Sequence, residues 1–155
     1  MADSLTPEQR SAQMSRIRGS NTKPEVLVRK ALHARGFRFR LGGAGLPGRP
    51  DIVLPKYRTA VFVHGCFWHG HDCPLYRLPK TRPEFWTQKI SANRARDKRV
   101  IHQLAELGWK SVVIWECSLR GVKGEALESF MDSVSSTILH NHPSEPGSLI
   151  DGRNG

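Results

Sequence analysis

The 155-residue sequence predicts one α/β domain built on a small mixed sheet with flanking helices. Two observations point to this fold class. The motifs TKPE (residues 22–25) and TRPE (residues 81–84) have the composition of helix starts, and apolar runs of strand length lie between and after them. Helices that alternate with strands along a chain are typical of α/β folds.

The first helix is expected to begin at TKPE. Thr22 is placed to cap this helix, Pro24 is tolerated in its first turn, and Glu25 would complete a capping box. Gly36 should end the helix. Residues 37–41 form a candidate strand, and the segment GGAGLPGRP after it predicts turns.

Three further apolar runs predict strands at residues 51–54, 59–64 and 111–115, with a turn over residues 55–58. TRPE repeats the capping pattern and opens a long helix that Gly108 stops. A last helix is expected from about residue 124 to residue 139. The apolar stripe of the long helix would consist of Phe85, Ile90, Ile101, Leu104 and Leu107.

The chain divides into three parts. Residues 1–20 are expected to form a basic arm with a short helical piece near residues 8–17, residues 21–140 the folded domain, and residues 141–155 a flexible tail. The polar start MADSLTPEQR does not resemble a signal peptide, and no apolar run approaches the ~18 residues that span a bilayer. We therefore expect a cytoplasmic protein without a membrane partner.

The net charge of +10 is unevenly distributed. Ten Lys or Arg accompany a single acid over residues 10–50, and eight accompany two acids over residues 77–99. From residue 120 onward acids outnumber basic residues. Two basic stretches favour a polyanionic partner, most simply nucleic acid, over the alternative of an ordinary solvated surface.

The segment VFVHGCFWHGHDC (residues 61–73) suggests a metal site. Together with Cys117 it supplies the chain's three cysteines, an odd number that suits a disulfide framework poorly. Three cysteines and one histidine would form a closed, tetrahedral structural zinc site with the ligands Cys66, His71, Cys73 and Cys117. His69 or Asp72 could replace His71, and buried core cysteines are the alternative to metal binding.

Other residues suggest phosphodiester cleavage. Asp51 leads one strand, and the next strand ends at His64. A carboxylate that holds Mg²⁺ beside a histidine that accepts a proton from water would suit a nuclease. Asp97 falls on the apolar face of its helix, where an acid must be paired or functional. Asp51 as a strand-entry residue and Glu25 as a capping acid are the alternative interpretations.

The sequence resembles the very short patch repair (Vsr) DNA mismatch endonucleases over about residues 10–121. The motifs that carry the resemblance are RSAQMSRIRGSNTKPE, LPGRPDIVL, VFVHGCFWHGHDC, TRPEFWTQKISANRARD and LGWKSVVIWEC, in that order. The resemblance implies a restriction-endonuclease-like core with a structural zinc. It also implies a Mg²⁺-dependent nick 5′ of the thymine in a T:G mismatch, of the kind left by deamination of 5-methylcytosine.

The resemblance implies roles for individual residues as well. Asp51 matches the family's metal-binding aspartate, the only acid kept from the PD-(D/E)xK pattern, so the backbone carbonyl of Val63 would help to complete the magnesium shell. His69 matches the proposed general base. The supporting active-site groups would be His64, Glu25 and Asp97, and the zinc ligands would be Cys66, His71, Cys73 and Cys117.

The adjacent rings of Phe67 and Trp68 would intercalate beside the mismatch from the major groove, and Met14 from the minor groove. A mismatch is weakly stacked, so separating its base pairs costs less than in sound duplex. Core packing is the alternative for the two rings.

The implied partners are duplex DNA with a T:G mismatch, mismatch-repair proteins and a cognate cytosine methyltransferase, with the protein acting as a monomer. Two other hypotheses stay open. One is a non-catalytic, zinc-stapled module that binds mismatches, and the other is a restriction-type nuclease that cuts unmismatched DNA. A pure binding module would have no use for Asp51 or His69.

Overall fold

The computed structural model describes residues 22–140 and the backbone of residues 148–150. Predictions about the basic arm, its short helix and Met14 therefore lie outside the described residues. The elements in chain order are α1 (Lys23–Ala34), β1 (Ile52–Leu54), β2 (Thr59–His64), α2 (Pro83–Glu106), β3 (Lys110–Trp115), α3 (Gly124–His140) and β4 (Ser148–Ile150).

The strands form one mixed sheet in the order β1-β2-β3-β4, so the prediction of a small mixed sheet is confirmed. β1 pairs antiparallel with β2, whereas β2 with β3 and β3 with β4 are parallel. The last strand was not expected, because residues 148–150 fall in the segment predicted to be a flexible tail.

The sheet register brings three chain segments to one edge. His64 at the end of β2 lies opposite Trp115 at the end of β3, so the loop after β2 and the turn after β3 leave the sheet together. β1 runs the other way with Ile52 opposite Val61, which places Asp51 at the same edge. The fold thus gathers at one place the segments in which the sequence concentrates acids, histidines and cysteines.

Helices cover both faces of the sheet. One core lies between the sheet and α1 and α3, with fully buried residues that include Val28, Leu32, Ile52, Ile114 and Met131. A smaller core packs α2 against the opposite face through Ala60, Phe62, Leu104 and Val113. Successive strand residues, such as Val61 and Phe62, belong to different cores, because side chains along a strand point to opposite faces of the sheet.

The helix-start motifs behave differently from each other. Thr22 caps α1 as predicted, with its Oγ1 accepting a bond from the Glu25 amide at 3.4 Å. The Glu25 carboxylate, however, makes no return bond to the Thr22 amide and is buried. The second predicted cap is wrong, because Arg82 precedes α2 with a left-handed φ of 55° and no side chain caps the helix. Its guanidinium lies over the Phe85 ring, 4.7 Å from the centroid.

Two further expectations need correction. The candidate strand at residues 37–41 is reduced to one bridge between Arg40 and Val53. The predicted apolar stripe of α2 is buried only at Ile90 and Leu104, whereas Phe85 is 44% exposed and Leu107 53% exposed. The helix is longer than the sheet it covers, so its first turns extend past the core toward the loop after β2. None of the described helices is long and apolar enough to cross a membrane.

Candidate active site

Asp51 occupies a half-buried position just before β1. Its Oδ2 accepts a hydrogen bond of 2.7 Å from the backbone amide of Val63 on the neighbouring strand. Burial, with an added contribution from the negative charge of Glu25, raises the pKa of Asp51 to about 6, although the Val63 amide opposes the shift. The backbone of the sheet thus fixes a carboxylate that is costly to ionise without a cation.

Glu25 gives this position a second acidic group. It projects from the first turn of α1 and is 4% exposed, which is rare for an acidic side chain. The structure therefore brings together two residues that the sequence places 26 positions apart. Glu25 is buried and Asp51 half-buried, and their carboxylates are hard oxygen donors of the kind that Mg²⁺ prefers, so the donor set fits this ion.

The two histidines form a stacked pair. The rings of His64 and His69 are parallel within 2°, with centroids 3.7 Å apart. Asp97 from α2 completes the group, with its Oδ2 2.5 Å from Nδ1 of His69. The prediction that an acid on the apolar face of α2 must be paired or functional is confirmed for the pairing.

His64 is held in the neutral form. Burial, followed by the positive charge that His69 can carry, lowers the pKa of His64 to about 3. Within the described residues its Nδ1 is buried and has no hydrogen-bond partner. A buried nitrogen without a partner costs free energy, so its retention needs a functional explanation.

The histidine group suits proton transfer better than metal binding. The ligating atoms of His64, His69 and Asp97 lie within 4.8 Å of one another, which is close enough for an ion. The lone pairs of imidazole lie in the ring plane, however, and two parallel rings 3.7 Å apart cannot both direct them at one ion. The Asp97 carboxylate is also already engaged with His69.

The predicted zinc ligands form a second, compact cluster. The ligating atoms of Cys66, His71, Cys73 and Cys117 all lie within 4.8 Å of one another, and none of the three cysteines forms a disulfide. Nδ1 of His71 is 3.5 Å from Sγ of Cys117. A tetrahedral zinc with Zn–S and Zn–N bonds of about 2.3 and 2.0 Å would place such atoms about 3.5 Å apart.

The surroundings of the cluster support this ligand set. The Sγ of Cys66 accepts a bond from the Cys117 amide at 3.4 Å, so backbone and thiol are already aligned. Burial raises the pKa of the Cys66 thiol to about 12, and a bound metal would be needed to hold it as thiolate. The two alternatives for the histidine ligand are not supported, since His69 pairs with Asp97 and Asp72 is exposed outside the cluster.

The aromatic pair lies outside both apolar cores. Phe67 and Trp68 are half-buried, with ring centroids 5.2 Å apart. Trp86 on α2 packs against both rings, at 5.4 Å from Phe67 and 5.9 Å from Trp68. The sequence motif drew attention to this pair but not to Trp86. The position of Trp86 directly after Phe85, at the start of a helix, could have indicated a third ring near the pair.

α2 holds the loop that carries these groups. Asn93, one helical turn before Asp97, donates a bond of 2.9 Å to the backbone oxygen of Trp68. Gly70 approaches the helix so closely that a Cβ would lie 2.7 Å from Ile90. Asn93 and Asp97 thus fix two consecutive loop residues, Trp68 and His69. The contact of Asn93 could not be predicted from the sequence.

Comparison with known proteins identifies the family. A family model described as DNA mismatch endonuclease Vsr matches residues 2–75. The type II nicking enzyme V.XorIIP of Xanthomonas oryzae pv. oryzae is 53% identical over 119 residues, which are 77% of this chain and 88% of that protein. The type II nicking enzyme V.NmeAIP of Neisseria meningitidis is 48% identical over 120 residues, or 77% and 86% of the two chains.

A third relative carries the name of the family itself. The DNA mismatch endonuclease Vsr of Escherichia coli K12 is 47% identical over 121 residues, which are 78% of each chain. Each of these matches covers more than three quarters of this chain. The chain belongs to the DNA mismatch endonuclease Vsr family and is a DNA endonuclease.

Proposed function

We propose that this endonuclease nicks one strand of duplex DNA on the 5′ side of the thymine in a T:G mismatch, in a Mg²⁺-dependent reaction that starts very short patch repair. The observation that carries the proposal is the position of His69. Its ring stacks on His64, its Nδ1 meets Asp97, and it lies close enough to Asp51 to affect that pKa. The intercalating candidate Trp68 is the preceding residue.

Asp51 would hold the magnesium ion, assisted by the backbone carbonyl of Val63 and with Glu25 nearby. The raised pKa of Asp51 supports this, because a divalent cation would offset the cost of ionising a carboxylate that is partly removed from water. Mg²⁺ bound there would stabilise the negative charge that develops on the phosphate oxygens. The mixed sheet would then serve as a restriction-endonuclease-like core.

His69 would accept the proton of the attacking water. The Asp97 carboxylate, 2.5 Å away, would hold the proton of His69 on Nδ1 and leave Nε2 as the acceptor. The same carboxylate would stabilise the imidazolium that forms. Because His64 stays neutral, no like charge opposes protonation of the stacked ring. The unpartnered Nδ1 of His64 is available to a phosphate oxygen or a water of the substrate complex.

The Cys66–His71–Cys73–Cys117 cluster would bind zinc in a structural role. All four ligand positions are filled by the chain, so the site lacks the open position of a catalytic zinc. The cluster closes directly around the turn that carries Phe67, Trp68 and His69, and it would stiffen that turn.

Phe67 and Trp68 would enter the base stack at the mismatch, and Met14 would enter from the other groove. The half-exposed rings outside the core support this role, as does the backing by Trp86 and Asn93. Lys and Arg side chains on α2 and in the arm would contact phosphates, which predicts strongly salt-dependent binding. A monomer in the bacterial cytoplasm, working with mismatch-repair proteins and a cognate cytosine methyltransferase, completes the proposal.

The decisive experiment uses the full chain with Zn²⁺ and end-labelled duplexes that differ only in one T:G, T:A or C:G pair. We expect a Mg²⁺-dependent nick 5′ of the mismatched T and little cleavage of the paired controls. Equal cleavage of all duplexes would favour a restriction-type nuclease. Tight T:G binding without any nick would favour a pure binding module.

Phe67→Ala supplies a second test of the same proposal. Loss of one wedge ring should reduce the preference for T:G over T:A in binding by about tenfold, since stacking of an aromatic on a base contributes ~1–3 kcal/mol. Phe85→Ala is the matched control, because Phe85 is exposed next to Trp86 but is not on the loop. An unchanged T:G preference in Phe67→Ala would refute the wedge.

A further inference from the structure

Trp115 contacts members of both clusters. Its ring stacks on the His71 ring at a centroid distance of 4.1 Å and an angle of 12°. It meets His64 edge-on at 5.3 Å and 70°, and His69 at 6.2 Å and 71°. One half-buried indole at the end of β3 therefore lies between a predicted metal ligand and both histidines of the candidate active site.

His64 depends on ring contacts for its position. Its Nδ1 has no hydrogen-bond partner within the described residues, and its ring contacts are with Phe62 at 5.6 Å, His69 at 3.7 Å and Trp115 at 5.3 Å. A ring that no hydrogen bond orients can rotate about its side-chain torsions unless packing prevents it. Among these three neighbours, Trp115 is the one that also touches the cysteine-histidine cluster.

The position of Trp115 is itself fixed from two sides. Its backbone lies opposite His64 in the β2–β3 register. Cys117, two residues later, is held to Cys66 through its amide. A metal ion in the cluster would fix His71 as well, and the stacked indole would then have a rigid surface on one side and the histidine pair on the other.

We propose that Trp115 is a positioning residue that couples the cysteine-histidine cluster to the stacked pair of His64 and His69. The inference rests on the proposed nuclease function and adds to it a physical link between the structural metal and the reacting edge. Trp115 itself touches no reacting atom. Its contribution is the orientation of two imidazoles.

The test compares Trp115→Leu and Trp115→Phe with Trp109→Leu in the zinc-loaded full chain. Trp109 is a suitable control because it is also half-buried and packs on the same small core, with its ring facing Arg58 at 5.6 Å. For each variant the measurements are bound zinc per chain, the single-turnover nicking rate and dissociation constant with a T:G duplex, and the exchange rate of the His69 Nδ1 proton by NMR.

We expect Trp115→Leu to lower the single-turnover rate tenfold or more, since misplacing a reacting group by about 1 Å can cost about a hundredfold. Zinc content should stay at that of the wild type and the dissociation constant should change less than twofold. The His69 Nδ1 proton should exchange faster. Trp115→Phe, which keeps a ring between His71 and the pair, should recover most of the rate, and Trp109→Leu should retain both rate and slow exchange.

Three results would overturn the coupling. Trp115→Leu could nick as fast as Trp109→Leu, Trp115→Phe could be as slow as Trp115→Leu, or Trp115→Leu could lose zinc, which would assign the indole to the metal site alone. The NMR measurement does not depend on nicking. If the wild type fails to nick, the proposed function fails, while unaltered exchange in Trp115→Leu would separately refute the positioning role.

Discussion

The two side-chain clusters at the sheet edge are built from similar residue types but differ in how far their groups are satisfied. In the cysteine-histidine cluster four ligands converge within 4.8 Å, and the Cys66 thiol and the Cys117 amide are hydrogen-bonded. The other cluster, which consists of the histidines His64 and His69 and the acids Asp51 and Asp97, is less satisfied. Asp51 has a pKa raised to about 6, and His64 keeps a buried nitrogen without a partner in the described chain.

In the proposed function, this difference separates a site that would support the fold from one that would carry out chemistry. A closed set of ligands lowers the free energy of the native state once its ion is bound. An open set keeps unfavourable electrostatics until substrate and cofactor supply the missing partners, which is characteristic of active sites. Substitutions in the two groups should therefore have opposite effects on stability and activity.

The largest effect on activity is expected at Asp51. Asp51→Asn keeps the size of the side chain but removes the charge, so the nicking rate should fall by about a thousandfold or more, as expected when about 4 kcal/mol of metal-dependent stabilisation is lost. T:G binding in the absence of Mg²⁺ should be nearly unchanged. Single-turnover assays and gel-shift titrations measure the two quantities, with exposed Asp72→Asn as the control. Binding that fell in parallel with cleavage would contradict a metal-holding role.

The largest effect on stability is expected at Cys117. Cys117→Ala removes one of four ligands, so zinc should be lost and the free energy of unfolding should fall by about 3 kcal/mol, or about 10 °C in melting temperature. Metal analysis and thermal unfolding would test this, with chelated wild type as the reference. A folded variant that still retained one zinc per chain would exclude Cys117 as the fourth ligand.

A smaller loss of activity is expected when the contact between Asp97 and Nδ1 of His69 is weakened. Asp97→Asn should lower the nicking rate by about a hundredfold to a thousandfold, because an amide can no longer hold the proton on Nδ1. Zinc content should not change. Glu106→Gln is a matched control, because Glu106 lies on α2 like Asp97 and pairs with a histidine. Its Oε1 is 3.0 Å from Nε2 of the exposed His102. Similar rates for the two variants would remove Asp97 from the proposed machinery.

The smallest and most specific effect concerns stability at His64. The pKa of its imidazole is about 3 in the folded chain and about 6.5 when unfolded, so the unfolded chain binds more protons between these values. The contribution of neutral His64 to stability is therefore complete above pH 6.5 and is lost as the pH falls toward 3. His64→Phe removes this dependence and the unpartnered nitrogen.

Denaturant unfolding at several pH values measures the difference between wild type and His64→Phe. At pH 7 the variant should be about as stable as the wild type or up to about 1 kcal/mol more stable, while nicking is lost. Between pH 6 and 4 the variant should gain on the wild type by about 1.4 kcal/mol per pH unit. Parallel curves would mean that His64 is not held neutral by burial.

Much of this edge could be predicted from local sequence. The cysteine-histidine spacing in residues 66–73 places three ligands on one loop, and the pairing of Asp97 followed from an acid on an apolar helix face. The positions of β1, β2 and β3 were also predicted accurately, because apolar runs buried on both faces give a clear signal.

The remaining features depend on contacts between distant segments. Glu25 fits a capping box locally, but burial next to Asp51 determines where its carboxylate lies. Trp115 looks like any strand aromatic until the register places it against three histidines. At TRPE no side chain caps α2, and a left-handed Arg82 precedes the helix with its guanidinium over the Phe85 ring.

The hydrogen bond from the Cys117 amide to the Cys66 sulfur has a consequence for the order of folding. These residues are 51 positions apart and directly follow two parallel strands that only a crossover through α2 can join. Contacts between residues so far apart in sequence form slowly. A zinc ion that links the two residues would close this loop, and closing a loop of this length can lower the conformational entropy of the unfolded chain by the equivalent of about 4 kcal/mol. Refolding with zinc present from the first moment should therefore be faster than refolding to which zinc is added late, and equal rates would place metal capture after the slowest step.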